Sequence, residues 1–335
     1  MQASFGISRR QMLAMSAAAP SFAFGGGAGA QAAKRIERLA PELDAIVSAA
    51  EPIRELASGT GGPGGPTEGP VWIKEGGHLL YSDIYHDRRM KYVPGQGATV
   101  FKEKTERANG MTRDLKGRLV VCERETRRVT RFEADGEVTV IANSFQAKRL
   151  NIPNDVIVKS DGAIYFTDPK RNSPPEPWDV PHTGVYRVTP DLGTITLLVD
   201  DFVFPNGLAF SPDERILYVA DWMRGHVRAF DVAPNGTLLR ATDRILADLR
   251  GPEPGMPDGL KVDQAGNVYC GGSGGLYILD PKGKKLGRIV HGKDDTTNMA
   301  FGGDDWKTLY ITTRHFLIGV NLKVAGVPVP APRKS

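Results

Sequence analysis

The sequence has only two cysteines in 335 residues, Cys122 and Cys270. Two thiols cannot staple a fold, which excludes a disulfide framework, and both sit in apolar strand-like runs where a buried thiol is expected. Charge of one sign is also lacking, since 43 basic residues stand against 39 acidic ones for a net of +4. Stretches such as CERETRRVTR mix both signs like a solvated strand face, so no nucleic-acid partner is implied. No apolar run reaches the roughly 20 residues that cross a bilayer, and no membrane insertion of the mature chain is expected. Helical periodicity is scarce too, with ELDAIVSAA at 42–50 the one candidate beyond the N-terminal leader.

Several catalytic signatures are missing. The chain has no βαβ alternation and no glycine-rich phosphate loop after a strand, and its six histidines show neither HxH nor HExxH spacing. The histidines therefore read as surface or packing residues.

What the sequence does have is 39 glycines and 24 prolines spread along its length, the pattern of many short strands joined by turns. The first 32 residues stand apart. Arg9 and Arg10 precede an acid-free, mildly apolar run that Pro20 and the glycines at 25–27 interrupt, and it ends in Ala-Gln-Ala. This pattern is that of a twin-arginine export signal cleaved after Ala32, which makes the export machinery an expected partner and the periplasm the expected compartment.

From there six segments repeat one pattern: an oxygen-bearing side chain, a short apolar strand, a turn rich in Gly or Asp, and a second strand such as LYV or IYF. They start at Glu68, Asn109, Asn154, Asn206, Asp258 and Asn298, 40 to 52 residues apart. That spacing has room for one four-stranded antiparallel sheet per copy. The expected fold is therefore all-β: a six-bladed β-propeller over 33–323, preceded by a short helical segment and followed by a Pro-rich tail at 324–335. The C-terminal run HFLIGVNLKV is expected to supply a closing strand.

Equivalent positions of successive blades lie at similar depth around one axis, so the six repeat starts form a ring at the mouth of the central channel. Asn-Gly and Asp-Gly are turn signals on their own. Here, however, the oxygen is kept while the next residue varies, the reverse of what a turn would conserve. Two carboxylates and several amide oxygens suit a hard cation, Ca²⁺ first, with Mg²⁺ or Mn²⁺ possible and Zn²⁺ less natural.

These residues resemble the gluconolactonase and regucalcin family of six-bladed propellers, related more distantly to diisopropyl fluorophosphatases. The resemblance runs from Arg35 to Val320 and rests on TEGPVW at 67–72, PND at 153–155, PNGLAFSPDE at 205–214, PDGLKVDQAGNVY at 257–269 and TTNMAFGG at 296–303. It implies one catalytic divalent metal held by Glu68, Asn154, Asn206 and Asp258, with Asp258 as general base and Glu68 as fixed ligand. It leaves Asn109 and Asn298 as pocket-lining or structural residues. Family members that hold the sugar acid with an arginine before the PND-type motif have Ile152 at the nearest place here, and Arg149 or Lys148 is the expected substitute. Trp178 and His182, in the Pro-rich loop 168–183, are expected to touch substrate from a lid.

The implied activity is hydrolysis of a lactone, most plainly an aldonolactone of the gluconolactone type, with the cation acting as Lewis acid. Two alternatives stay open: hydrolysis of phosphotriesters or fluorophosphates on the same ring, and a propeller that binds a ligand without turnover.

Overall fold

The computed structural model describes residues 33–170, 178–293 and 295–330. Its strands form the six radial sheets of a β-propeller. Blades one to four use four strands in chain order, spanning 67–103, 108–142, 156–199 and 205–248. Blade five spans 260–290 and gains Arg35–Arg38 as a fifth, outer strand. Blade six takes three strands from 296–321 and its fourth from the N-terminal segment Arg54–Ser58. The first strand of each blade lies against its neighbours on either side, and the circle runs back from blade six to blade one.

The ring closes differently from the sequence expectation. Phe316–Asn321 is the third strand of blade six, and Arg54–Ser58 pairs antiparallel with it to supply the outer edge. A closing strand so remote in sequence carries no local signal, because only the geometry of closure demands it. The expected helical segment is a single 3₁₀ turn, Pro41–Ala45, whose Leu43 is buried. No described helix is long and apolar enough to cross a membrane.

Blade packing follows from the repeated second strand. Its tyrosines, Tyr81, Tyr165, Tyr218, Tyr269 and Tyr310, are buried, and three of them meet an aromatic ring on the first strand of the next blade. Tyr165 meets Phe210 edge-on with ring centroids 4.9 Å apart, Tyr269 meets Phe301 likewise at 5.1 Å, and Tyr310 stacks on Trp72 at 5.4 Å. The last pair joins blade six to blade one. Each such pair adds about 0.5–1.5 kcal/mol beyond the area it buries. Cys122 and Cys270 are free and buried, as expected.

The C-terminal segment does not trail away over its described part. Gly326 N–H donates to Trp306 O at 2.9 Å and Val327 N–H to Val262 O at 3.1 Å. Val327, Pro328 and Val329 thereby floor a cavity of about 340 Å³ walled by Trp72, Met111, Phe210 and Phe301. Apolar side chains at alternate tail positions gain more from covering this surface than from water.

Candidate functional site

Each repeat-start oxygen sits at or just before the first strand of its blade, and an irregularity of pairing aims it. In blades one, two, four and six the first strand carries a register shift at this point, between Glu68 and Val71, Ala108 and Met111, Pro205 and Leu208, and Thr296 and Asn298. An extra residue there bends the strand and re-aims a side chain.

A closed circuit of hydrogen bonds fixes these starts against one another, one bond at each blade interface. Ser82 Oγ donates to Asn109 O at 2.8 Å, Gly110 N to Asn154 O at 2.8 Å, and Thr167 Oγ1 to Asn206 O at 2.8 Å. Gly207 N donates to Asp258 O at 3.1 Å, Gly259 N to Thr297 O at 2.7 Å, and Thr297 Oγ1 to Thr67 O at 2.6 Å. This explains the glycine after the oxygen. A Cβ on Gly207 would stand 2.5 Å from both Asp258 O and Leu260 N, where no side chain fits.

With the carbonyls of Asn109, Asn154, Asn206 and Asp258 turned to the preceding blade, the side chains face the channel. Glu68, Asn109, Asn154, Asn206 and Asp258 line one pocket of about 300 Å³, together with Pro66, Ile84, Lys170, Phe204, Trp222, Met223, Asp295, Thr297 and Arg314. Asn298 is not in its wall. It lies behind Glu68, donating Nδ2–H to Glu68 Oε2 at 3.0 Å, while Gly69 N–H donates to the same oxygen at 2.7 Å.

The electrostatics are those of crowded acids. Burial, reinforced by Asp155, pushes the Glu68 carboxyl up to about 8. Asp258 is raised as well, first by burial and then by Glu68, Asp295 and Asp155. Asn109 Oδ1, Asn206 Oδ1 and Asp258 Oδ1 are buried without a hydrogen-bond partner. Each orphaned atom costs about 1–3 kcal/mol. Three of them converging with a second carboxylate fit a hard divalent cation, which would satisfy the oxygens and return both acids to their charged forms. No group of three or more His, Cys, Asp or Glu among the described residues is arranged to hold a metal, so such a cation would draw half its protein oxygens from amides. That mixture suits Ca²⁺ better than Zn²⁺.

Three expected substrate contacts are not brought to this pocket. Arg149 lies on an outlying two-strand hairpin, Ser144–Phe145 with Lys148–Arg149, and its guanidinium reaches Thr126 O at 3.2 Å. His182 Nε2 is 3.0 Å from Tyr186 Oη, and Trp178 lies under the Arg127 guanidinium with 5.3 Å to the ring centroid. Residues 171–177 of the expected lid lie outside those described. Conversely, sequence reasoning passed over Asp155, Lys261, Lys170, Asp295 and Arg314. Asp155 follows Asn154 directly, is buried, and stands 3.7 Å from Lys261 Nζ beneath the ring. Its place beside a repeat-start oxygen was the available signal.

Residues 66–315 match the SMP-30/Gluconolactonase/LRE-like region. A gluconolactonase from Zymomonas mobilis is 31% identical, over 96% of this chain and 99% of its own. A pentonolactonase from Haloferax volcanii is 29% identical, over 73% of this chain and 80% of its own. Among solved structures, a gluconolactonase from Xanthomonas campestris superposes with a TM-score of 0.78 at 32% identity, covering 87% of this chain and 95% of that one. A regucalcin from Agrobacterium tumefaciens shares the fold at a TM-score of 0.71 and 19% identity, over 85% of this chain and 98% of that one.

Proposed function

The chain belongs to the SMP-30/gluconolactonase/LRE-like family, and on that premise we propose that it is a lactonase, a hydrolase that opens the internal ester of a sugar acid, with aldono-1,5-lactones of the gluconolactone type foremost. The observation that carries this reading is the meeting of Glu68, Asn154, Asn206 and Asp258 in one pocket, with Asn206 Oδ1 and Asp258 Oδ1 buried and without partners. A pocket of about 300 Å³ is at the small end of ligand sites and suits a single sugar ring.

These four residues would hold one divalent cation, Ca²⁺ by the chemistry of the donor set, with Mg²⁺, Mn²⁺ or Zn²⁺ as alternatives. When bound, the cation supplies Lewis-acid polarisation of the ester carbonyl. Glu68 serves as the fixed ligand, since Gly69 N–H and Asn298 Nδ2–H already hold its carboxylate in place. Asp258 would meet the cation through its unpartnered Oδ1 and take the proton from the attacking water with its other carboxylate oxygen. The water oxygen bonds to the carbonyl carbon, the bond from that carbon to the ring oxygen breaks, and the ring oxygen leaves as a hydroxyl by taking the proton that Asp258 received. The product is the open-chain hydroxy acid. Asn109 offers its unpartnered oxygen to a substrate hydroxyl, and Trp222 and Phe204 form an apolar wall for the ring.

A pH-stat screen tests this on the mature chain, using sugar lactones, an aliphatic lactone and a phosphotriester, each with chelator and with each divalent metal. Sugar lactones should be hydrolysed, activity should vanish with chelator, and Ca²⁺ should restore it. Absence of hydrolysis of every lactone would sink the reading.

Export by the twin-arginine route belongs to the same proposal and rests on Arg9, Arg10 and the Ala-Gln-Ala end. A fusion whose periplasmic fraction is unchanged by R9K/R10K would overturn it.

A further inference from the structure

Lys170 and Arg314 line the same pocket as the oxygens, and their positions are opposed. Lys170 follows the second strand of blade three, Ile164–Asp168, while Arg314 follows the second strand of blade six, Thr308–Thr313. Blades three and six stand across the axis of a six-membered ring. Neither side chain makes an ion pair or a hydrogen bond with the described residues, although both are only partly exposed.

The other blades show how unusual this is. Asp83, Glu123 and Asp221 end the second strands of blades one, two and four, and each pairs with a nearby arginine: Arg88 at 2.9 Å, Arg128 at 2.6 Å and Arg224 at 3.5 Å. In blade six the equivalent position is Thr313, so Arg314 has no strand-end acid; Asp295 stands beyond the Thr296–Thr313 pair in the same register and makes no ion pair with Arg314. In blade three the acid is present as Asp168, but its Oδ2 accepts the Asn151 N–H at 2.8 Å and it makes no ion pair with Lys170. Burial also raises the Asp168 carboxyl to about 7, which weakens the charge it can offer. Withdrawing a cation from water without a partner is costly, and a site retains such groups when a ligand supplies the countercharge.

We infer that this pocket is built for a lactone that bears a negative charge of its own, a carboxylate or a phosphate on the carbon chain, received by Lys170 and Arg314. A neutral aldonolactone would leave both cations unsatisfied. The acids of the pocket, Glu68, Asp258 and Asp295, do not forbid an anion, because a divalent cation on the first two offsets them. Arg314 matches either oxyanion with two parallel N–H donors, and Lys170 adds a point charge from the opposite wall.

This inference rests on the lactonase reading, and the test separates the two. The mature chain, saturated with Ca²⁺, is assayed on ring-matched pairs: the 1,4-lactones of gluconic and glucaric acids, and the 1,5-lactones of gluconic acid and of its 6-phosphate. One charged member should exceed its neutral partner in kcat/KM by about tenfold or more at low ionic strength, and the advantage should shrink as salt is added. Preference for the glucarate pair identifies a carboxylate, and preference for the phosphate pair a phosphoryl group. Lys170→Met and Arg314→Met should each lower the charged-to-neutral ratio by about tenfold. Calorimetry adds a readout without turnover: glucarate or 6-phosphogluconate should bind more tightly than gluconate, and Lys170→Met/Arg314→Met should erase the difference. Equal kcat/KM within both pairs, or ratios untouched by the substitutions, would overturn the inference and leave the lactonase reading standing. Failure to hydrolyse any of the four lactones would overturn both.

Discussion

Asn298 donates its amide to Glu68 across the interface between blades six and one, at 3.0 Å. The same Nδ2 lies 3.3 Å from Asp155 Oδ2, and Asn298 Oδ1 accepts from Lys261 Nζ at 3.2 Å. One amide thus bridges two acids and a lysine that would otherwise face one another beneath the pocket. Asn298→Ala should cost about 1–3 kcal/mol of stability, since it strands buried polar partners. It should also weaken divalent-cation binding by about 10–100-fold, the usual effect of removing an outer-shell partner. Calorimetric titration with Ca²⁺ measures the second effect, and unchanged affinity would show that Glu68 needs no such support.

How far the site was legible in the sequence follows from the same residues. The repeat starts could be found because an oxygen recurs before an apolar strand, and five of the six do line one pocket. Asn298 has the same sequence signature but lies behind the wall, a difference of depth that periodicity does not encode. Gly207 is small because the next blade's Asp258 carbonyl occupies the space where a Cβ would stand, a constraint that its own blade's sequence does not show. Lys170 and Arg314 stayed invisible because each follows a second strand, outside the repeat-start positions and far in sequence from the other, and only the ring brings them together. Trp178 and His182 are expected at the pocket from their loop and Arg149 from its place before the PND motif, and neither loop membership nor sequence proximity says which way the chain folds.

Asp258 combines a buried, unpartnered oxygen with a place in the pocket wall. Asp258→Ala should lower kcat by about 10²–10⁴-fold as loss of a general base and leave the circular dichroism spectrum unchanged, because the circuit of blade contacts uses the backbone carbonyl of residue 258 and not its side chain. Full turnover in this variant would remove Asp258 from the base role. Asp258→Asn keeps an oxygen for the cation but cannot take a proton. It should therefore bind Ca²⁺ more strongly than Asp258→Ala while remaining as slow.

Asp168 makes a prediction about pH and stability. Its Oδ2 accepts from Asn151 N–H while its Oδ1 has no partner, and burial lifts its carboxyl to about 7 from an ordinary value near 4. Between those two values the folded chain holds a proton on Asp168 that the unfolded chain has released, so folding stability falls as pH rises through that window. Asp168→Asn preserves an acceptor for Asn151 and removes the titration. The variant should gain on the parent in urea midpoint from pH 4 to pH 8, with most of the gain complete by pH 7. A parallel offset at every pH would show that Asp168 ionises without penalty.

Closure of the ring by a strand from the far end of the chain gives the last prediction. Arg54–Ser58 pairs with Phe316–Asn321 in the register Arg54 to Gly319, and Arg54 Nη2 donates to Asn321 Oδ1 at 2.8 Å. Leu56 packs on the core of blade six, over Gly319, where a Cβ would stand 2.8 Å from Leu56 Cδ1. By contrast, Arg35–Arg38 is a fifth strand on a blade already complete. A mature chain truncated to begin at Pro41 should therefore keep a cooperative transition with a modest loss of Tm. One truncated to begin at Gly59 loses the fourth strand of blade six, the buried Leu43 and Val47 side chains, and the strand that pairs with the edge of Phe316–Asn321. An uncovered edge offers unpaired backbone groups to other chains. The shorter chain should lose its sharp transition and elute as aggregate in size-exclusion chromatography, and a monomer of parental Tm would show that three strands suffice to close blade six.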